Sequence, residues 1–203
     1  MKLVYSQSSP YTRKVMVVAH EAGLDGKIEK RPAMTTPVAP SAEVKKGNPL
    51  AKLPSLQAEG TSLYDSRVIC AYLDSKNRRK KMYPASGKAR WTALRQEALA
   101  DGLLDAALLA RYENSLRPGA LRWPEWVDGQ MAKIEGALDA MEKEAATLRG
   151  APTIGHIAFG CALGYLDFRF PDIGWRARRR KLAKWYAAFS QRPSMQATLP
   201  PQG

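Results

Sequence analysis

Three short stretches gather the residue types that do chemistry. In "YSQSSPYTRK" (Tyr5 to Lys14), Ser6, Ser8 and Ser9 crowd ahead of Pro10, directly after a short apolar run. Proline is favoured at the first helical position, so a helix starting at Pro10 takes Ser9 as its N-cap. The free amides and positive dipole end of that helix then face whatever sits beside Ser9, which stabilises an anion, a thiolate included. The competing reading is a plain capping serine. In "NPLAKLPSL" (48–56), Pro54 stands at the entrance of a strand, where its missing amide is tolerated. A cis Leu53–Pro54 peptide would turn the preceding backbone outward, freeing the amide and carbonyl of Leu53 for a peptide-like ligand; a trans proline at a strand start is the alternative. In "YDSR" (64–67), Asp65 and Ser66 open another helix. There Asp65 either meets an ammonium group or serves as an ordinary cap.

Other chemistries find little support. His20 falls inside the predicted first helix with no serine to pair with, so no Ser-His-Asp arrangement forms. His20 and His156 make no ligand cluster, and no metal site is expected. Cys70 and Cys161 stand far apart in apolar surroundings and read as two buried free thiols, which suits a reducing cytoplasm. The start lacks the long apolar core of a signal peptide, and no apolar run of about 18 residues predicts a membrane span. The net charge of +13 is concentrated in "KNRRKK" (76–81) and "RARRRKLAK" (176–184). Such a balance favours anionic partners, with a solvated basic face as the plain alternative. No zinc-finger spacing or RNA-binding aromatic signature accompanies it.

The elements that must position these residues change character along the 203-residue chain. Residues 2–6 read as a buried strand. Val15, Val18 and Ala19 recur at helical spacing, and Gly23 ends that run. Residues 27–33 form a second strand candidate and 34–47 a loop with room for one helical turn. Residues 53–58 and 62–65 flank "EG" as a hairpin, and 66–76 follow as a helix. Beyond a linker, nearly everything is helical. One long helix covers 89–116. Another begins at Pro124 with Val127, Met131, Ile134, Leu138 and Met141 on a stripe, and two more cover 153–168 and 178–191. Strands first and helices later predict an α+β protein: residues 1–77 as a βαβ-ββα domain, 78–88 as linker, and 89–203 as an all-α domain.

The order of these motifs resembles the cytosolic glutathione transferases over almost the whole chain. "EALADGLLDAAL" (97–108), "CALGYLDFRFPDIGW" (161–175) and "AKWYAAFSQRPSMQAT" (183–198) resemble the bacterial YibF-like branch in particular. The resemblance implies a thioredoxin-like domain that binds glutathione and a helical domain that helps form the co-substrate site. It implies that the Ser9 hydroxyl donates to the glutathione sulfur and stabilises a thiolate that attacks a small electrophile. Leu53, beside cis-Pro54, would pair with the cysteinyl part, Asp65 and Ser66 would hold the γ-glutamyl end, and Lys52 would meet the glycine carboxylate. Asp101 falls where relatives reach the partner subunit's glutathione. It shares a face with Leu94, Ala98, Asp105 and Leu108, and structural ion pairing is the alternative role. Tyr11, Tyr112 and Trp123 are candidates for the co-substrate lining or for plain core aromatics. The implied state is a cytoplasmic homodimer acting in detoxification, with glutathione as co-substrate, no further cofactor and no membrane partner; a nucleic-acid partner is disfavoured but not excluded by the basic charge.

Two departures stand out. Relatives with Cys at the Ser9 position favour disulfide exchange, and this chain has no Cys there, which disfavours thioltransferase chemistry. The family's Thr/Ser-x-x-Asp capping box reads "TIGH" (153–156) here, so His156 replaces the carboxylate that reaches back to the cap amide, at a cost of about 1 kcal/mol. The second functional reading is a non-catalytic protein on the same fold that docks on an anionic macromolecule or small ligand through the basic runs.

Overall fold

The computed structural model describes residues 1–79 and 81–201. Lys80 of the basic run and residues 202–203 of the helical half lie outside the described residues. The chain divides into two compact units, Met1–Arg90 with the segment from Arg192 onward, and Trp91–Gln191.

The first unit is built on β1 (Lys2–Tyr5), α1 (Pro10–Ala22), β2 (Glu29–Pro32), α2 (Ala42–Gly47), β3 (Ser55–Ala58), β4 (Thr61–Leu63) and α3 (Ser66–Lys76). The sheet order is β2-β1-β3-β4. Strands β1 and β2 are parallel, with Leu3 opposite Lys30, and such a pair needs a crossover, which α1 supplies. Strands β3 and β4 form the expected hairpin. Glu59 (φ 49°) and Gly60 (φ 76°) both take positive φ, the requirement of the tight turn whose twist matches the strands. Helix α1 buries Val15, Val17, Val18 and Ala19 and packs on α3 through Ile69, Cys70 and Leu73. It stops at Gly23, whose left-handed conformation lets the Gly23 and Leu24 amides bond back to His20 and Ala19. The segment 34–47, read from sequence as a loop with room for one helical turn, contains the short helix α2, capped by Ser41.

The second unit comprises most of α4 (Gly87–Ser115), with α5 (Pro124–Glu144), α6 (Ile154–Arg169) and α7 (Arg180–Phe189). Helix α6 is buried on all sides from Ile154 to Leu166, as expected of a helix with almost no charged residues in that stretch. A Cβ on Gly155 would lie 3.1 Å from the Ala93 carbonyl oxygen and 2.6 Å from Gln96 Cβ, so α6 approaches α4 more closely than any side chain there permits. The α6 start keeps its cap, with Thr153 Oγ1 accepting from the His156 amide at 3.5 Å. His156 itself is buried and meets Trp185 edge-on at 6.3 Å, a packing role. Helix α7 stacks Trp185 on Phe189 at 4.8 Å, as their spacing suggests.

Two readings of the helical half change. The core side of α4 carries Ala93, Glu97, Ala100, Leu104 and Ala107, while Ala98 and Asp105 are exposed. The stripe drawn through Leu94, Ala98 and Asp105 is therefore not the buried one, because small alanines let a neighbouring face pack closer. The last segment, α8 (Pro193–Gln196), also belongs to the first unit and not to the helical half. Arg192 pairs with Glu21, and Arg13 donates to the Met195 carbonyl at 3.2 Å.

Candidate functional site

Strand register gathers the three stretches at one end of the sheet. Val4, near the end of β1, faces Ser55 at the start of β3, and Leu56 faces Leu63 at the end of β4. The chain therefore leaves β1 toward Ser9, enters β3 from Leu53–Pro54, and leaves β4 toward Asp65–Ser66 at that same end.

Ser9 is the N-cap of α1, with its Oγ accepting from the Thr12 amide at 3.3 Å. That bond uses an oxygen lone pair and leaves the hydroxyl hydrogen free to donate. The Ser9 amide closes a turn onto the Ser6 carbonyl at 3.1 Å, and Ser6 Oγ and Ser8 Oγ lie 3.2 Å apart. No acidic residue occupies the first turn of α1, so nothing within the helix offsets its positive end.

The Leu53–Pro54 peptide is cis. Leu53 is half-buried, and among the described residues its amide and carbonyl have no hydrogen-bond partner. Asn48, which the sequence did not mark as a site residue, shapes this loop. Buried to 2 % exposure, it donates from Nδ2 to the Lys52 carbonyl at 3.0 Å and accepts from the Leu50 amide at 3.0 Å. The "NP" ahead of the cis proline was its only signal. Lys52 is exposed. Asp65 caps α3 by accepting from the Arg67 amide at 3.0 Å while staying exposed, and Ser66 is almost wholly buried as the first residue of that helix.

The other candidates are Tyr11 in the first turn of α1 and, in the helical unit, Asp101, Tyr112 and Trp123. Tyr11 is half-buried on α1. In the helical unit, Tyr112 is half-buried, and Trp123 is 60 % exposed and stacked on Trp126 at 6.4 Å, so Trp123 is no core aromatic. Asp101 is 3 % exposed within its own chain.

Much of the basic charge is engaged internally. Arg179 is 3 % exposed and pairs with Asp139 and Glu135 of α5 at 2.7 and 2.6 Å. Arg176 forks onto Asp167 with two bonds of 2.6 Å. Lys81 donates to the carbonyls of Asp74 and Asn77 at the end of α3, at 2.5 and 2.8 Å. These are structural cations, and the basic runs are only in part a free surface.

Comparison with known proteins identifies the family. The N-terminal domain of glutathione S-transferases matches residues 8–76, and the C-terminal domain matches residues 124–188. The uncharacterised GST-like protein YibF of Escherichia coli (strain K12) is 32 % identical over the whole of both chains. The chain belongs to the glutathione S-transferase family. A glutathione transferase family member from Pseudomonas fluorescens Pf-5, solved with bound glutathione, shares 47 % identity at a TM-score of 0.97, covering 99 % of each chain. A second structure from that source, with bound S-(propanoic acid)-glutathione, gives 45 % identity and a TM-score of 0.92 over the whole of both chains. The glutathione transferase fold expected from the sequence, a mixed-sheet unit followed by helices, is the fold present here.

Proposed function

We propose that this chain is a serine-type glutathione transferase, in which Ser9 stabilises the glutathione thiolate for attack on a small electrophile. The observation that carries the proposal is the hydrogen-bonding state of Ser9. Its oxygen caps α1 while its hydrogen stays available, so capping and catalysis are compatible roles of one hydroxyl. Glutathione carries over as ligand from the Pseudomonas structures, and S-(propanoic acid)-glutathione shows that a relative accommodates a substituent on the sulfur.

A free thiol has a pKa of about 8.5, so only a few per cent is thiolate at neutral pH. The Ser9 hydroxyl and the α1 dipole together lower that by one to two units, each unit being about 1.4 kcal/mol of preference for the charged form. The thiol proton passes to solvent. The thiolate sulfur then bonds to the electrophilic carbon, whose displaced electron pair leaves on a leaving group or moves into an acceptor. The Leu53 backbone pairs with the cysteinyl part, Asp65 and Ser66 hold the γ-glutamyl end, and Lys52 faces the glycine carboxylate. The working state is a homodimer.

Ultraviolet thiolate absorbance of bound glutathione against pH tests this. A depressed thiol pKa in the wild type that returns toward the free value in Ser9→Ala is expected. Equal titration of both proteins, with glutathione bound, would leave Ser9 as a cap only.

A further inference from the structure

Helix α2 sits on the sheet through a glycine. A Cβ on Gly47 would lie 2.7 Å from Ser55 Oγ and 3.6 Å from Ser62 Oγ, so its bare backbone lies against β3 and β4. Ser55 and Gln57 alternate with the buried Leu56, and Gln57 pairs with Ser62, so the two serines share the α2 face of the sheet. Gly47 ends α2, and its carbonyl is one of the groups that a helix end leaves without a partner inside the helix. Ser62 Oγ donates to that carbonyl at 2.6 Å, across 15 positions of sequence.

From this fixed point the chain runs to Leu53 through a short segment held at each step. The Asn48 amide bonds back to the Val44 carbonyl at 2.9 Å, and the Asn48 carbonyl takes the Ala51 amide at 2.8 Å. The Asn48 side chain spans Leu50 and Lys52. Ala51 has φ 51°, a left-handed conformation disfavoured for alanine. A residue keeps such a conformation only where its surroundings hold it. Here the Thr35 hydroxyl donates to the Ala51 carbonyl at 3.1 Å and accepts from the amide of Ser41, the N-cap of α2, at 3.2 Å. The segment is thus tied to both ends of α2, and α2 is tied to the sheet at Gly47.

We propose that Ser62 is a positioning residue for glutathione. Its bond to the Gly47 carbonyl sets where residues 48–53 lie on the sheet, and so where the Leu53 amide and carbonyl point, without touching the ligand. The proposal rests on the transferase reading, in which the Leu53 backbone pairs with the cysteinyl part. Ser9 belongs to a different segment, the start of α1, so loss of the Ser62 bond acts on affinity and leaves thiolate stabilisation as it was.

The test uses the full chain with Ser62→Ala and Ser62→Thr, and with Thr61→Ala as an exposed control on the same strand. Amide hydrogen exchange is read without glutathione. Ser62→Ala should speed exchange of the Leu50 and Ala51 amides by about threefold to tenfold, and leave the amides paired between β1 and β3 at wild-type rates. Isothermal titration should show glutathione weakened by about threefold to tenfold in the same variant. In turnover, KM for glutathione should rise by that factor, while kcat at saturation stays within about twofold and the bound thiol titrates as in the wild type. Ser62→Thr keeps the hydroxyl and should restore both exchange and affinity. Thr61→Ala should change nothing. Unchanged exchange of the two loop amides, faster exchange with unchanged glutathione affinity, a loss of protection shared by the β1–β3 amides, or a threonine variant as weak as the alanine one would each overturn the proposal. Faster loop exchange in Ser62→Ala, with no glutathione binding even by the wild type, would overturn the transferase reading and leave Ser62 as the anchor of the segment.

Discussion

Arg192 grips Glu21 across 171 positions of sequence, with two parallel hydrogen bonds of 2.9 and 2.8 Å, and Ser194 adds a third at 2.6 Å. This clasp fastens the last segment of the chain to the helix that Ser9 caps. Burial alone would raise the Glu21 carboxyl, but the bonds from Arg192 and Ser194 outweigh it and hold the group below the usual carboxylate range. A carboxyl depressed in the folded state contributes fully above its unfolded pKa, and the contribution fades as pH falls through the folded value. Glu21→Gln is therefore expected to cost about 2 kcal/mol at neutral pH, with the gap to wild type closing below about pH 4. Urea unfolding of both proteins at the two pH values checks it; a gap that stays constant would assign the loss to packing.

Asn48 should matter to glutathione binding without touching the sulfur. Its side chain ties the Leu50 amide to the Lys52 carbonyl, directly ahead of Leu53. Asn48→Ala should raise KM for glutathione by about tenfold, hold kcat at saturation within about twofold, and cost about 1–2 kcal/mol of stability. Steady-state kinetics and a denaturant melt separate these effects. An unchanged KM would remove the Leu53 backbone from the glutathione contacts.

The basic run before α7 should divide residue by residue. Arg179 is buried while its partners Glu135 and Asp139 are 39 % and 62 % exposed, so Arg179→Ala should cost about 1–2 kcal/mol through the lost bonds and packing of the guanidinium. Arg178 is exposed, and Arg178→Gln should stay within about 0.5 kcal/mol. Equal losses from the two would show that net charge, and not the Arg179 network, stabilises this segment.

The parts of the molecule legible in sequence were those governed by local rules. Ser9 before Pro10 announced a helix cap, the "EG" turn announced the β3–β4 hairpin, and the stripe from Ile134 to Met141 announced the buried face of α5. The strand entrance at Pro54 left a cis and a trans peptide both open, and the structure has the cis form. Features set by distant partners were not legible. Nothing in "RPSMQAT" points to Glu21, and nothing marks Arg179 as buried while Arg178 is exposed. The α4 stripe was misplaced because alanines pack closely without a strong apolar signal.

The position of α8 has a consequence for synthesis. A chain emerging from the ribosome presents α1 early, yet Arg13 and Glu21 wait through 182 and 171 further positions for Met195 and Arg192. Until then Glu21 of the Ser9 helix lacks the paired bonds from Arg192. The unit that is translated first is thus the one completed last, and a nascent chain cut short before Arg192 would carry every strand of the sheet and still lack its closing clasp.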